Sequence, residues 1–114
     1  MSNKGIEFLQ RQTAVARTFP TWQWRDNPLR MIEDNYISPI LPPDVLISSV
    51  RAILFKDDAV MVFQDHNDEP YIVPGGRREP GESILETLHR ELLEETGWRL
   101  KNTAVLGFVH FHHL

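Results

Sequence analysis

Hydrophobic and polar positions along this chain follow two different periods. Between residues 83 and 96, Ile84, Leu85, Leu88 and Leu92 recur at helical spacing and make one apolar stripe. Ser83 stands at the start of the stripe as an N-cap, Glu86 three residues later completes a capping box, and Gly97 stands where a left-handed residue closes many helices. A helix over residues 83–96 is predicted. Ahead of it, Pro74-Gly75-Gly76 and Pro80-Gly81 mark a tight loop, because glycine reaches positive φ and proline fixes its own.

Elsewhere the pattern is that of strands. Residues 45–55 are rich in Val, Ile, Leu and Phe, and residues 59–64 repeat the pattern after Lys56-Asp57-Asp58, so two strands joined by a tight turn are expected. Residues 65–70 form a second turn, and Tyr71-Ile72-Val73 make a short strand leading into the glycine loop. Beyond the helix, residues 99–103 read as a turn and residues 104–111 as a strand carrying Val105, Leu106, Phe108, Val109 and Phe111. The chain is therefore read as α/β.

The first 43 residues form an arm. Ile6, Leu9, Thr13 and Ala16 share one side of a helix over residues 5–19, and Asn27-Pro28, an N-cap followed by proline, starts a second short helix running to about residue 36. Ser38-Pro39-Ile40-Leu41-Pro42-Pro43 is an extended linker, since each proline disfavours helix in the residue before it. The boundary falls near Asp44, giving an arm over 1–43 and a domain over 44–114. Trp22, Trp24, Leu29, Met31 and Ile32 supply apolar surface by which the arm packs on the domain; the alternatives are a dimerisation arm, or a wall of a binding site where Trp22 or Trp24 stacks on a base.

Bulk properties narrow the class. A hydrophobic fraction of 41% and a charged fraction of 25% are those of a soluble globular chain. Net charge of −4 argues against a nucleic-acid polymer or a membrane surface as partner. The absence of cysteine excludes disulfides, thiolate metal sites and cysteine nucleophiles. No apolar run is long enough for a membrane span and no signal-peptide core is evident, so a cytoplasmic location is expected.

The helix also carries the chemistry. Glu91 and Glu95 border the apolar stripe, and Glu94 lies off it on the same side of the helix as Glu91. Like charges at such spacing repel by about 0.2–0.5 kcal/mol per exposed pair, and more when partly desolvated, so a cationic partner is expected. A solvated acidic face explains Glu86 but not carboxylates beside the apolar stripe. A hard divalent cation does, Mg2+ first and Mn2+ second. Arg51, within the first strand, and Arg77 and Arg78, in the glycine loop, either face solvent or contact a phosphate. His110 and His112 fall on one strand face, either a transition-metal pair or a histidine-rich strand edge, the edge being preferred; His66 and His89 read as surface positions.

Gly76, five residues, Glu82, seven residues, Arg90-Glu91-Leu92, one residue, Glu94-Glu95, one residue, Gly97 and then bulky apolar Trp98 resemble the Nudix box. Trp98 stands where the family usually has an aliphatic residue. The resemblance implies a Nudix-type α/β/α sandwich with a mixed sheet, here incomplete at the C-terminus. It also implies metal-assisted hydrolysis of a nucleoside diphosphate linked to another moiety. In that reading Glu91, Glu94, Glu95 and the Gly75 carbonyl hold the metal, and Arg90 pairs with Glu82 to hold the loop on the helix. If the general base lies in this chain, Glu94 or Glu95 supplies it.

The family domain normally continues past the box, so the expectation is either a fragment of a longer protein or a homodimer in which a partner supplies the missing strands. Two functions follow from different classes. One is a pyrophosphohydrolase. The other is a non-catalytic nucleotide-binding or regulatory module that kept the box.

Overall fold

The structure is a computed structural model that describes residues 3–65 and 67–114. The surface position expected for His66 lies outside the described residues. The elements, in order, are α1 (Asn3–Gln10), β1 (Ala16–Thr18), β2 (Thr21–Trp24), β3 (Asn27–Ile37), a single 3-10 turn (Asp44–Leu46), β4 (Ser49–Arg51), β5 (Phe55–Lys56), β6 (Ala59–Val60), β7 (Phe63–Gln64), β8 (Pro70–Tyr71), β9 (Gly75–Arg77), α2 (Ile84–Thr96) and β10 (Gly107–His113). The fold is mixed α/β with two helices and antiparallel strands. Every strand pairing among the described residues is antiparallel, where the resemblance implies a mixed sheet. No helix among them is long and apolar enough to cross a membrane.

The chain divides into two compact units, Met1–Leu46 with Ala104–Leu114, and Ile47–Thr103. In the first, β3 is the central strand. β1 and β2 pair successively along one edge of it, interrupted at Phe19-Pro20, and β10 pairs along the other edge from Gly107↔Ile37 to His113↔Met31. Pro20 has no N–H to donate, but its carbonyl accepts from Met31 at 3.0 Å and keeps the register across the break.

The helix expected from Asn27-Pro28 is thus corrected to an eleven-residue strand. The reason lies just upstream. Arg25 and Asp26 both adopt left-handed backbone, φ 48° and 65°, and close a two-residue hairpin whose twist matches its flanking strands. Asn27 therefore pairs with Trp24 rather than capping a helix. The helix expected over residues 5–19 is shorter, ending at Gln10 with tightened i→i−3 bonds from Arg11 and Gln12, and residues 16–18 join the sheet instead. Phe8 of α1 meets Phe108 at 5.5 Å, and Phe108 stacks on Tyr36 at 4.6 Å. Trp22 packs on Phe111 at 4.8 Å, and both Trp22 and Trp24 remain exposed, Trp24 the more so.

The second unit is built around α2. Leu88 and Leu92 of its buried stripe pack with Leu54, and Val50, Ala52, Met61, Phe63 and Leu100 close around them. Leu85, assigned to that stripe from its spacing, is exposed, and Thr87 is buried in its place. The strands are shorter than expected. Residues 45–55 break into β4 and β5, although Ala52 N–H still bonds the Pro74 carbonyl and Met61 N–H the Leu54 carbonyl. β5 and β6 form a hairpin turned at Asp57, φ 55°, and the turn at 65–70 is held by the Asp65 carboxylate accepting from the N–H groups of Asn67 and Glu69. The strand expected at Tyr71-Ile72-Val73 is confined to Pro70–Tyr71, and part of the glycine loop is itself a strand, β9, paired with β4.

Candidate functional site

Helix α2 is fixed at both ends. Ser83 Oγ accepts from the Glu86 N–H at 3.1 Å while the Glu86 carboxylate accepts from the Ser83 N–H at 3.2 Å. At the other end Gly97, φ 74°, donates its N–H to the Leu93 carbonyl. These caps set the rotation of the helix relative to the preceding loop.

Glu82 sits in that loop as an acceptor for four donors. It receives Arg90 Nε at 2.7 Å and Nη2 at 3.0 Å, the Glu79 N–H at 2.8 Å and the Thr87 hydroxyl at 3.0 Å. The Arg90 guanidinium above all, and then the Glu79 N–H, hold the Glu82 carboxyl down at about 2. The same pairing raises the Arg90 pKa further above its already high ordinary value. Thr87 escapes a sequence search because a threonine one turn into a helix reads as neutral. Its only signal is its spacing, four residues after Ser83, whose carbonyl its hydroxyl also reaches at 3.1 Å.

The remaining donors of Arg90 reach three more carboxylates and one carbonyl. Nη1 lies 3.0 Å from Glu91, 3.5 Å from Glu94 and 3.7 Å from Glu79, and Nη2 donates to the Arg77 carbonyl at 3.1 Å. The cation expected from the repulsion between the glutamates is therefore supplied in part by the chain itself. Glu79 was not singled out from sequence, since nothing in the spacing distinguishes it from a solvated loop acid.

The glycines bring strand and helix together. A Cβ on Gly76 would run into the Glu91 carboxylate, so only glycine lets that side chain lie against β9. Gly75 has φ 150°, its missing Cβ would meet the Val50 carbonyl, and its N–H donates to Glu95 Oε2 at 2.9 Å. Strand β9 thus carries, from one turn of backbone, a contact to each of Glu91 and Glu95. Glu91 is 19% exposed and Glu94 60%. Among the described residues the three glutamates are not gathered within 4.8 Å of one another.

The three arginines diverge. Arg78 braces the loop, donating to the Ile47 carbonyl at 3.1 Å and to the Glu82 carbonyl at 2.7 Å. Arg51 is exposed and donates to the Val73 carbonyl at 3.1 Å. Arg77 is exposed beside the site. His89 is on the surface, as expected.

The groups that β9 and α2 could offer a cation are all oxygens: the carboxylates of Glu91, Glu94 and Glu95 and the carbonyl of Gly75. Such a set suits a hard divalent ion.

The NUDIX domain family model matches residues 45–113. An uncharacterized Nudix hydrolase, YvcI of Bacillus subtilis, is 36% identical over 61 residues, covering 54% of this chain and 39% of that protein. The 8-oxo-dGDP phosphatase NUDT18 of Homo sapiens is 34% identical over 61 residues, covering 51% of this chain and 19% of that protein. The chain thus spans well under half the length of either relative. No solved structure matches it.

Proposed function

This chain belongs to the NUDIX domain family, and from that premise we propose that it is the box-bearing part of a divalent-metal-dependent hydrolase that cleaves the diphosphate linkage of a nucleoside diphosphate derivative. The observation that carries the reading is the joint between β9 and α2, where Gly76 admits the Glu91 carboxylate, Gly75 anchors Glu95, and Arg90 ties Glu82 to the helix.

In this proposal Glu91, Glu94, Glu95 and the Gly75 carbonyl hold Mg2+, or Mn2+ in its stead. The bound ion would neutralise diphosphate charge and acidify water. Arg90 and Glu82 keep the glutamates in place rather than touching substrate. Glu94, more exposed than Glu91, or Glu95 takes the proton from the attacking water. Arg77 and Arg51 orient phosphate oxygens, and Arg78 acts through the loop it braces. The 8-oxo-dGDP in the name of the human relative favours including oxidised nucleoside diphosphates among the substrates tried. An arm over residues 1–43, a sandwich domain over 44–114, a cytoplasmic location and a homodimer belong to the same proposal, without a nucleic-acid polymer or a membrane as partner.

Mg2+-dependent release of nucleoside monophosphate by the protein across nucleotide sugars, dinucleotides and oxidised nucleotides tests it. Turnover is expected, and Glu94→Gln or Glu95→Gln should lower it by at least ~100-fold with unchanged circular dichroism. Wild-type rates in both variants would remove the assignment.

The alternative is a nucleotide-binding module without turnover. One observation favours it: Arg90 already compensates Glu91 and Glu94, so these carboxylates persist without an ion. Nucleotide binding with no hydrolysis of any substrate would establish it.

A further inference from the structure

Strand pairing in the first unit lines up side chains from three strands. Arg17 of β1 lies opposite Asp34 of β3, which lies opposite His110 of β10. Opposed residues share a sheet face and alternate residues of one strand return to it, so His112 joins the same face. Asp34 is 4% exposed. Arg17 grips its carboxylate through Nε at 2.6 Å and Nη2 at 2.9 Å, and His112 Nε2 lies 3.3 Å from Oδ2. The His110 and His112 rings stack at 4.9 Å between centroids. One ligand atom from each of Asp34, His110 and His112 lies within 4.8 Å of the other two.

An ion-pair network alone does not account for this arrangement. Arg17 already neutralises Asp34, and a second imidazole stacked on the first adds nothing to that pair while repelling it whenever both are protonated. Two imidazoles and a carboxylate with ligand atoms this close together are instead a donor set for late first-row divalent metals. A carboxylate offers about four lone-pair positions, and the arginine fork occupies two. A concavity of about 530 Å³, lined in part by Gln12, Thr13, Arg17, Asp34 and Tyr36, opens beside the carboxylate.

We propose that Asp34, His110 and His112 bind a late first-row divalent ion, Zn2+ foremost, with Arg17 as the positioning residue that orients the Asp34 carboxylate. Three protein ligands leave a position for water or an anion. The site is separate in chemistry from the oxygen-only set on α2 and does not rest on the function proposed for it.

Zn2+ titrated into the full chain should move the ring ¹H–¹⁵N signals of His110 and His112 and leave those of exposed His89 in place. Co2+ should give visible ligand-field absorption, with affinity at least ~10-fold weaker in His110→Asn and in His112→Asn. The doubly substituted Glu91→Gln, Glu94→Gln protein should keep that absorption. Ring signals unmoved by Zn2+ would overturn the proposal, as would Co2+ absorption that survives in both histidine variants or disappears in the glutamate one. Should the histidine variants fail to fold, the wild-type ring signals decide.

Discussion

The Arg90 guanidinium contacts four carboxylates and a backbone carbonyl because its planar fork presents donors in several directions at once. Glu82 takes two of these bonds, including the shortest, and its depressed pKa makes that contact pH-dependent. A carboxyl at about 2 in the fold, against an ordinary 4.5, adds stability that is complete above pH 4.5 and is lost as pH falls toward 2. Thermal midpoints measured from pH 6 to pH 2 should therefore fall more steeply in wild type than in Glu82→Gln, whose neutral side chain starts lower and stays flatter. Parallel profiles would mean that the pair contributes nothing measurable. Arg90 and Glu82 were legible as partners from the box alone, whereas Glu79 and Thr87 were not: their roles come from a loop that folds back over the first turn of α2, and no spacing rule encodes that path.

At the scale of elements, the joint between β9 and α2 depends on the absence of one methyl group. Gly76→Ala places a Cβ in the volume of the Glu91 carboxylate. That carboxylate is the end of a flexible chain, so it swings away while the backbone stays. Thermal stability should change by less than about 1 kcal/mol, while metal-dependent turnover falls by ~10-fold or more. A variant with full turnover would show that Glu91 need not lie against the strand. Helix α2 itself was readable residue by residue, since capping box and left-handed glycine are local signals that act on the chain nearest them. Strand β3 was not, because Asn27-Pro28 carries a genuine helix-start signal that long-range pairing with β1, β2 and β10 outweighs.

For the molecule as a whole, the cores are unit-specific. Leu92 is fully buried among Leu54, Leu88 and their neighbours, all within residues 47–103. Leu92→Ala should destabilise that unit by about 2–5 kcal/mol, read as lost hydrogen-exchange protection in α2, β4 and β9. A loss below about 1 kcal/mol would mean that this cluster is not what holds the unit together.

What the sequence determined by itself was the capped helix, the pairing of Arg90 with Glu82, and membership of the family, because these depend on residues within about one loop and one helix of each other. Tertiary structure alone decided the long β3 strand, the exposure of Leu85, the burial of Thr87 and the meeting of Asp34 with two histidines far along the chain. Those outcomes are set by which strands find each other and by which side of an element another covers, and both are properties of contacts between segments that no local period records.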